Sequence, residues 1–336
     1  MSNSIQNPIW IEFFTPSQIQ SFELPPNLIL VGDYHIQRGT FTVIGGPPGV
    51  GKSRAAMALA IAGATGQNWF DMEVKQKFRT MIIQNENGKG RLKKDFETIN
   101  CSEFEHWIRI CTPPPFGMAF NKIEFVHKLR EKIDEFNPDI VIFDPWNSIA
   151  GDDKQSDYLE AFKLIRSVIP NSDTNAAIVI VAHTRKPKDD EKATGRELIH
   201  LLSGSHVLVS VPRSVFVMVP ETSDVESGKI IWTCCKNNDG EMNASSVWLR
   251  KDLSFEYVGE LDGNFKPEAK RITVTLDNIR DLMKPYPDGL TKKAFVAMLK
   301  KKTNASQSAC YAALDENGKF KDHIEVAEFD MFKWRD

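Results

Sequence analysis

The chain has 336 residues, is 41% hydrophobic and 26% charged, and carries a formal net charge of −3. That length accommodates one large domain and one small one, and the composition is ordinary for a soluble globular protein. The small negative charge leaves nucleic-acid binding to local basic patches, because what matters is the distribution of charge and not its sum. The five cysteines, at 101, 111, 234, 235 and 310, form no CxxC pair. An odd count without metal-ligand spacing reads as reduced thiols in a cytoplasmic protein. The N-terminal MSNSIQNPIWIEFF lacks the basic and long apolar regions of a signal peptide. No run approaches the ~18 apolar residues of a membrane span, so no membrane partner is expected.

Residues 1–30 contain several prolines and isolated aromatics and read as an extended lead-in. From there to residue 252 the pattern is that of a domain in which strands and helices alternate. FTVIGG (41–46) is a predicted strand, followed by a helix from Ser53 to about Gly66. RTMIIQNE (79–86) is a second strand, KIEFVHKLREKIDEF (122–136) has helical spacing, and DIVIFDPW (139–146) is a buried strand with a polar end. SDYLEAFKLIRSVI (156–169) is an amphipathic helix and AAIVIVAHT (176–184) another buried strand. Short apolar strands alternating with helices predict an α/β fold with a mainly parallel sheet covered on both faces. Three strands then follow without helices, at 213–220, 229–237 and 245–252, as an expected antiparallel extension. Residues 253–270 are polar, contain Gly259, Gly263 and Pro267, and read as a linker. Residues 271–336 predict helices near 274–284, 291–301 and 305–315 and a C-terminal β-hairpin. That combination suggests a small winged-helix domain.

Gly46-Pro47-Pro48-Gly49-Val50-Gly51-Lys52-Ser53 fits GxxxxGK[ST] between a strand and a helix. Glycines open backbone conformations closed to other residues and let amides approach phosphate oxygens, and the helix start adds its positive dipole end. Lys52 is expected to reach the β- and γ-phosphates, and the Ser53 hydroxyl to ligate Mg²⁺. Arg54, next on the helix, joins these eight residues as an expected nucleotide contact. The implied cofactors are ATP and Mg²⁺. Asp144, at the carboxyl end of a buried strand, is placed to hold the metal. Glu86 ends its strand where a carboxylate can orient or deprotonate water attacking the γ-phosphate. His183 ends another strand, within reach of the same phosphate.

In this order the motifs resemble the RecA-like ATPases, and more closely the RepA-type hexameric replicative helicases of plasmids and phages. The matching residues are the 46–53 loop, Glu86, Asp144-Pro145, His183 with Lys186, Gly204-Ser205 leading to Arg213, and Lys236-Asn237. The resemblance covers roughly residues 25–252. It implies a homo-oligomeric ring, hexameric in the family's manner, with ATP between subunits and Arg213, with Lys236, reaching a neighbour's γ-phosphate. Two departures stand out: Asn238 occupies the position of an arginine that related rings carry, and Arg91 follows Glu86 by only five residues.

A ring motor grips single-stranded DNA through basic channel loops. The segment 184–205 offers Arg185, Lys186, Lys188, Lys192 and Arg196, partly offset by Asp189, Asp190 and Glu191. The C-terminal KKAFVAMLKKKTNASQSACYAAL resembles a helix-turn-helix, with Lys300, Lys301 and Lys302 near duplex phosphates. The expected function is a DNA helicase or translocase of a mobile element. The alternatives are a non-motor ATP switch that regulates or loads on DNA, a small-molecule kinase, and a recombinase-like filament former.

Overall fold

The computed structural model describes residues 11–150, 154–170, 172–185, 193–202, 206–222, 227–261, 274–303, 307–315, 320–327 and 331–335. The chain divides into two compact units, Met1–Pro267 and Glu268–Asp336.

The first unit runs α1 (Pro16–Gln20), β1 (Ile29–Val31), β2 (Ile36–Gln37), β3 (Phe41–Gly46), α2 (Lys52–Thr65), β4 (Thr80–Gln84), α3 (Lys89–Phe96) and β5 (Ile108–Ile110). It continues through α4 (Ile123–Phe136), β6 (Ile140–Asp144), α5 (Gln155–Val168), β7 (Ala177–His183), α6 (Val207–Ser210), β8 (Ser214–Pro220), β9 (Lys229–Asn237), β10 (Ser246–Lys251) and β11 (Ser254–Glu260). Nine of these strands form one sheet in the order β11-β10-β9-β8-β3-β7-β6-β4-β5. The pairs from β8 through β3, β7, β6 and β4 to β5 are parallel, and those from β8 to β11 are antiparallel. The result is a mixed α/β fold with a large, mostly parallel sheet.

The central strands read as unbroken apolar runs because both faces are covered. Phe41, Val43, Val141, Phe143, Ile178, Ile180, Val215 and Val217 pack on one side with α5. Ile44, Ile140, Ile142, Val179, Val181, Phe216 and Met218 pack on the other with α2. The alternation of neighbours between two cores is the period-two geometry of a strand. The alanine-rich α2 fits close to its neighbours because its buried face is small. At Gly63 a Cβ would lie 2.0 Å from the Phe78 ring, and that ring is fully buried.

The expected linker at 253–270 is corrected over its first part. Ser254–Glu260 is a strand that pairs antiparallel with β10 through a turn in which Asp252 has φ +46°. As the edge strand it has one partner, and most of its residues stay exposed, so its polar composition conceals it. Residues 262–270 lie outside the described part. The expected extended lead-in of residues 1–30 is corrected too: Pro16–Gln20 is a short helix capped by Thr15, and Ile29–Val31 is a strand paired with β2. Further differences are local. The strand 79–86 stops at Gln84, which places Glu86 in the bend beyond it, and β5, three residues long, carried no usable periodicity. Among the described residues no helix is long and apolar enough to cross a membrane.

The second unit contains α7 (Leu276–Met283), β12 (Leu290–Thr291), α8 (Lys292–Thr303), α9 (Gln307–Ala312), β13 (Ile324–Ala327) and β14 (Met331–Trp334). Its strands form an antiparallel sheet in the order β12-β14-β13. Its own core gathers Ile279, Met283, Phe295, Val296, Leu299, Leu314 and Phe332, and Thr275 caps α7 with a reciprocal Asn278 contact.

Gly63→Ala tests the close fit of α2. Replacing a mid-helix glycine would gain up to about 1 kcal/mol of helix propensity. Overpacking against a ring that cannot move costs about 1–3 kcal/mol. The expected outcome is a lower midpoint in thermal unfolding; an unchanged or higher midpoint would show that Phe78 yields.

Candidate functional site

The buried strand β3 ends at Gly46, at the carboxyl edge of the parallel sheet, and the chain turns through Pro47–Gly51 into α2. Gly49 has φ +78° and Gly51 φ +108°, values that a side chain disfavours. Gly51 is the N-cap of α2 and supplies no side-chain cap. The amides of the first helical turn therefore point their dipole end into the opening, which is the setting in which a helix N-terminus binds phosphate.

Lys52 opens α2 and is almost fully buried, 6% exposed. Its Nζ donates to the Pro47 carbonyl at 3.0 Å and lies 3.2 Å from Nδ1 of His183. Burial lowers the Lys52 pKa to about 8, against the opposing pull of Asp144 and Glu86. His183 comes to this point because Gly46 of β3 lies in register with it across the parallel β3–β7 pair. Its pKa is lowered, first by burial and then by the Lys52 ammonium, which favours the neutral ring, the form whose Nδ1 can accept from Lys52.

Asp144 ends β6 and is also 6% exposed. Burial pushes its pKa up to about 6; the nearby Ser53 hydroxyl and the Lys52 charge pull it down, and Glu86 pushes it up. A hydroxyl and a carboxylate side by side in the cleft are two hard oxygen donors, and they fit Mg²⁺. Among the described residues no cluster of three or more His, Cys, Asp or Glu could hold a metal. A magnesium ion here would therefore complete its shell with phosphate oxygens and water, the usual habit of that ion.

Glu86 stands two residues past β4, exposed at the rim. Gln84 pairs in register with Asp144, and the Asn85 amide donates to the Asp144 carbonyl at 3.0 Å. Strands β4 and β6 thus carry the two carboxylates into one cleft of about 620 Å³, which Pro48, Gly49, Gly51, Ser53, Arg54, Lys52 and His183 also line.

The sheet adds a residue that the sequence did not disclose. Arg250, on β10, donates from Nη1 to the Gly49 carbonyl at 2.7 Å. Its side chain passes so near the loop that a Cβ on Gly51 would lie 3.0 Å from its Cδ. About two hundred residues separate it from the loop, and no spacing rule links them. Arg91 also lines the cleft, from α3, where it pairs with Asp95 at 2.9 Å.

Other expected site residues are placed elsewhere. Arg213 forms an ion pair with Asp239, with Nε 2.9 Å from Oδ2. Lys236, expected as a nucleotide contact, donates to the carbonyls of Val209 and Pro212 at 2.7 Å and of Ser210 at 3.4 Å. Neither lines the cleft of its own chain. Arg185 is held to the 195–201 helical turn, its amide donating to Leu201 and its Nη2 to the His200 carbonyl. Arg196 is exposed on that turn. Lys186, Lys188, Lys192 and Gly204-Ser205 lie outside the described residues. Lys300, Lys301 and Lys302 are exposed on α8 of the second unit, with Lys302 3.1 Å from Asp281.

A family model described as an AAA domain matches residues 11–189. No curated protein matches the chain. Among solved structures, it is similar to a KaiC-like protein, PH0186, of the hyperthermophilic archaeon Pyrococcus horikoshii OT3. That similarity has a TM-score of 0.47 at 12% identity, over 70% of this chain and 99% of that one. The RadB recombinase gives a TM-score of 0.45 at 12% identity, over 66% of this chain and 91% of that one.

The buried carboxyl yields a pH signature. A group whose pKa in the folded state lies above its ordinary value of 3.8 favours folding while protonated. Its contribution is complete below about pH 4 and is lost as the pH rises through about 6. The loss is on the order of 3 kcal/mol. Asp144→Asn keeps the shape and removes the charge. In the absence of Mg²⁺ its melting midpoint is expected to match wild type at pH 4 and to exceed it at pH 7.5. A difference that does not vary with pH would contradict this account of Asp144.

Proposed function

The chain belongs to the AAA domain family, and from that membership we propose that it is an ATP-hydrolysing, RecA-like DNA motor. In this reading it is a helicase or translocase of RepA type, working as a hexameric ring in replication of a plasmid, phage or mobile element. The observation that carries the proposal is the convergence of Lys52, Ser53, Glu86, Asp144 and His183 from four strand ends on one cleft. A phosphoryl-transfer kinase needs no carboxylate at the position of Glu86, whereas hydrolysis uses one.

Ser53 and Asp144 would hold Mg²⁺, which when bound supplies a Lewis acid at the phosphate oxygens. Lys52 offers its ammonium to the charge that develops on those oxygens. Glu86 takes the proton of water as the water oxygen bonds to the γ-phosphorus and the bond to the leaving phosphate oxygen breaks. His183, in contact with Lys52, is placed to register whether the γ-phosphate is present. Arg213 and Lys236 would serve the cleft of a neighbouring subunit, where an arginine of this kind can be worth ~10³–10⁵ in rate.

Single-stranded DNA would run through the ring against Arg185, Lys186, Lys188, Lys192 and Arg196. The second unit would be a winged helix binding duplex DNA through α9, with Lys300, Lys301 and Lys302 on phosphates. Its three helices and small antiparallel sheet support that assignment. One observation favours a second reading, a non-motor ATP switch. Arg213 and Lys236 are both engaged within their own chain, by Asp239 and by three carbonyls, and a motor would have to release them toward a neighbour.

ATP hydrolysis by wild type and Glu86→Gln, with and without single-stranded DNA, tests the motor, with assembly state read by light scattering. The motor requires DNA-stimulated turnover by a ring-sized particle, reduced about 10²-fold or more in the variant. Slow turnover by a small particle that ignores DNA would instead overturn the motor in favour of the switch or the kinase. Separately, Arg250→Ala removes a charged hydrogen bond from the loop carbonyl and is expected to weaken ATP binding about tenfold. Fluorescence titration with a labelled nucleotide would read the change, and unaltered affinity would reduce Arg250 to a surface contact.

A further inference from the structure

We propose that Gln84 is the positioning residue for the Glu86 carboxylate, a role that rests on the reading of Glu86 as the group that prepares water. Gln84 ends β4 at the floor of the cleft and is 3% exposed. Its carboxamide is used on all sides. Oε1 accepts from the backbone amides of Glu86 at 3.0 Å and Asn87 at 2.6 Å. Nε2 donates to the carbonyls of Asn87 at 2.6 Å and Cys111 at 2.8 Å. Two acceptor directions and two donors exhaust what an amide side chain can offer, and three of the four bonds go to the bend that carries Glu86.

The same bend is tied by its backbone to both neighbouring strands. The Asn85 amide donates to the Asp144 carbonyl on one side, and the Gln84 amide reaches Cys111 Sγ at 3.3 Å on the other. Through its carboxamide Gln84 also links Asn87, at the tip of the bend, to Cys111 at the β5 end. Glu86 itself is exposed, and Gly88 lies two residues beyond it, so its own packing does not restrain it; the restraint comes through the Glu86 and Asn87 amides that Gln84 holds. A carboxylate that must meet a water in line with a phosphate gains from such restraint, because a misplacement of about 1 Å can cost ~10²-fold in rate.

Packing alone does not call for this residue. Met81, Ile82 and Ile83 precede it on a fully buried strand, and an apolar side chain at 84 would suit that environment better than an amide that must find four partners. The amide is matched to the bend instead.

The test measures kcat and nucleotide Kd for the full chain carrying Gln84→Met or Gln84→Glu, each alone and combined with Glu86→Gln. Methionine keeps the length and abolishes all four bonds; glutamate keeps the oxygen that accepts from the Glu86 and Asn87 amides. For Gln84→Met we expect a loss in kcat of about tenfold or more, with Kd unchanged within about twofold. Gln84→Glu should lie between it and wild type. In the Glu86→Gln background neither substitution should cost anything further, because a residue that acts through Glu86 has nothing left to position. Equal losses in both backgrounds, a loss in Kd in place of kcat, or no loss at all would overturn the proposal while leaving the reading of Glu86 intact. An unaltered rate for Glu86→Gln by itself would overturn that reading and the proposal with it. Circular dichroism identifies a variant that fails to fold, and Gln84→Glu then decides by the same comparison.

Discussion

One strand, β7, stands between the strand that leads into the phosphate loop and the strand that ends in Asp144. Adjacent strands lie about 4.8 Å apart, so this insertion holds the ends of β3 and β6 nearly 10 Å from each other. Neighbouring strands would bring a buried lysine and a buried aspartate together as an ion pair and fill the cleft. With β7 interposed, Lys52 turns to the Pro47 carbonyl and to His183, and Asp144 faces the Ser53 hydroxyl across the cleft floor. The cleft between them remains open to a ligand that carries negative charge and a divalent cation.

The electrostatics of the cleft follow from that spacing. Lys52 and Asp144 each lose water without gaining a close opposite charge, so burial dominates both, with pKa values near 8 and 6. Groups shifted toward neutrality by desolvation are ready to be rewarded by an incoming phosphate and metal. The fold carries this unfavourable burial because the two apolar layers on either face of the sheet are extensive. Real proteins tend to depart from local rules where they bind or catalyse, and these two residues do so.

The antiparallel half of the sheet completes the site from the other side. β8 to β11 extend the sheet beyond the loop strand, and β10 brings Arg250 onto the Gly49 carbonyl. Gln84 works at the opposite flank, where β4 and β5 end. The loop is therefore braced by a side chain from β10 and the Glu86 bend by one from the end of β4 itself, and neither brace belongs to a recognisable motif.

Residue types and local spacing determined much of this by themselves. Gly49 and Gly51 announce their backbone conformation, the alanine-rich run after Ser53 announces a helix, and the apolar runs ending in Asp144 and His183 announce buried strands with polar ends. These are legible because each depends on neighbours within a few positions. The strand end at Gln84, the edge strand Ser254–Glu260 and the role of Arg250 were not legible. A short or edge strand lacks a full apolar pattern, and a contact across two hundred residues leaves no periodicity. Likewise, the chemistry of Arg213 and Lys236 looks the same in sequence whether they face a phosphate or, as here, Asp239 and backbone carbonyls. Only the tertiary structure decided which strand lies between which, because strand order is set by competition among long-range packings that no local stretch of sequence encodes.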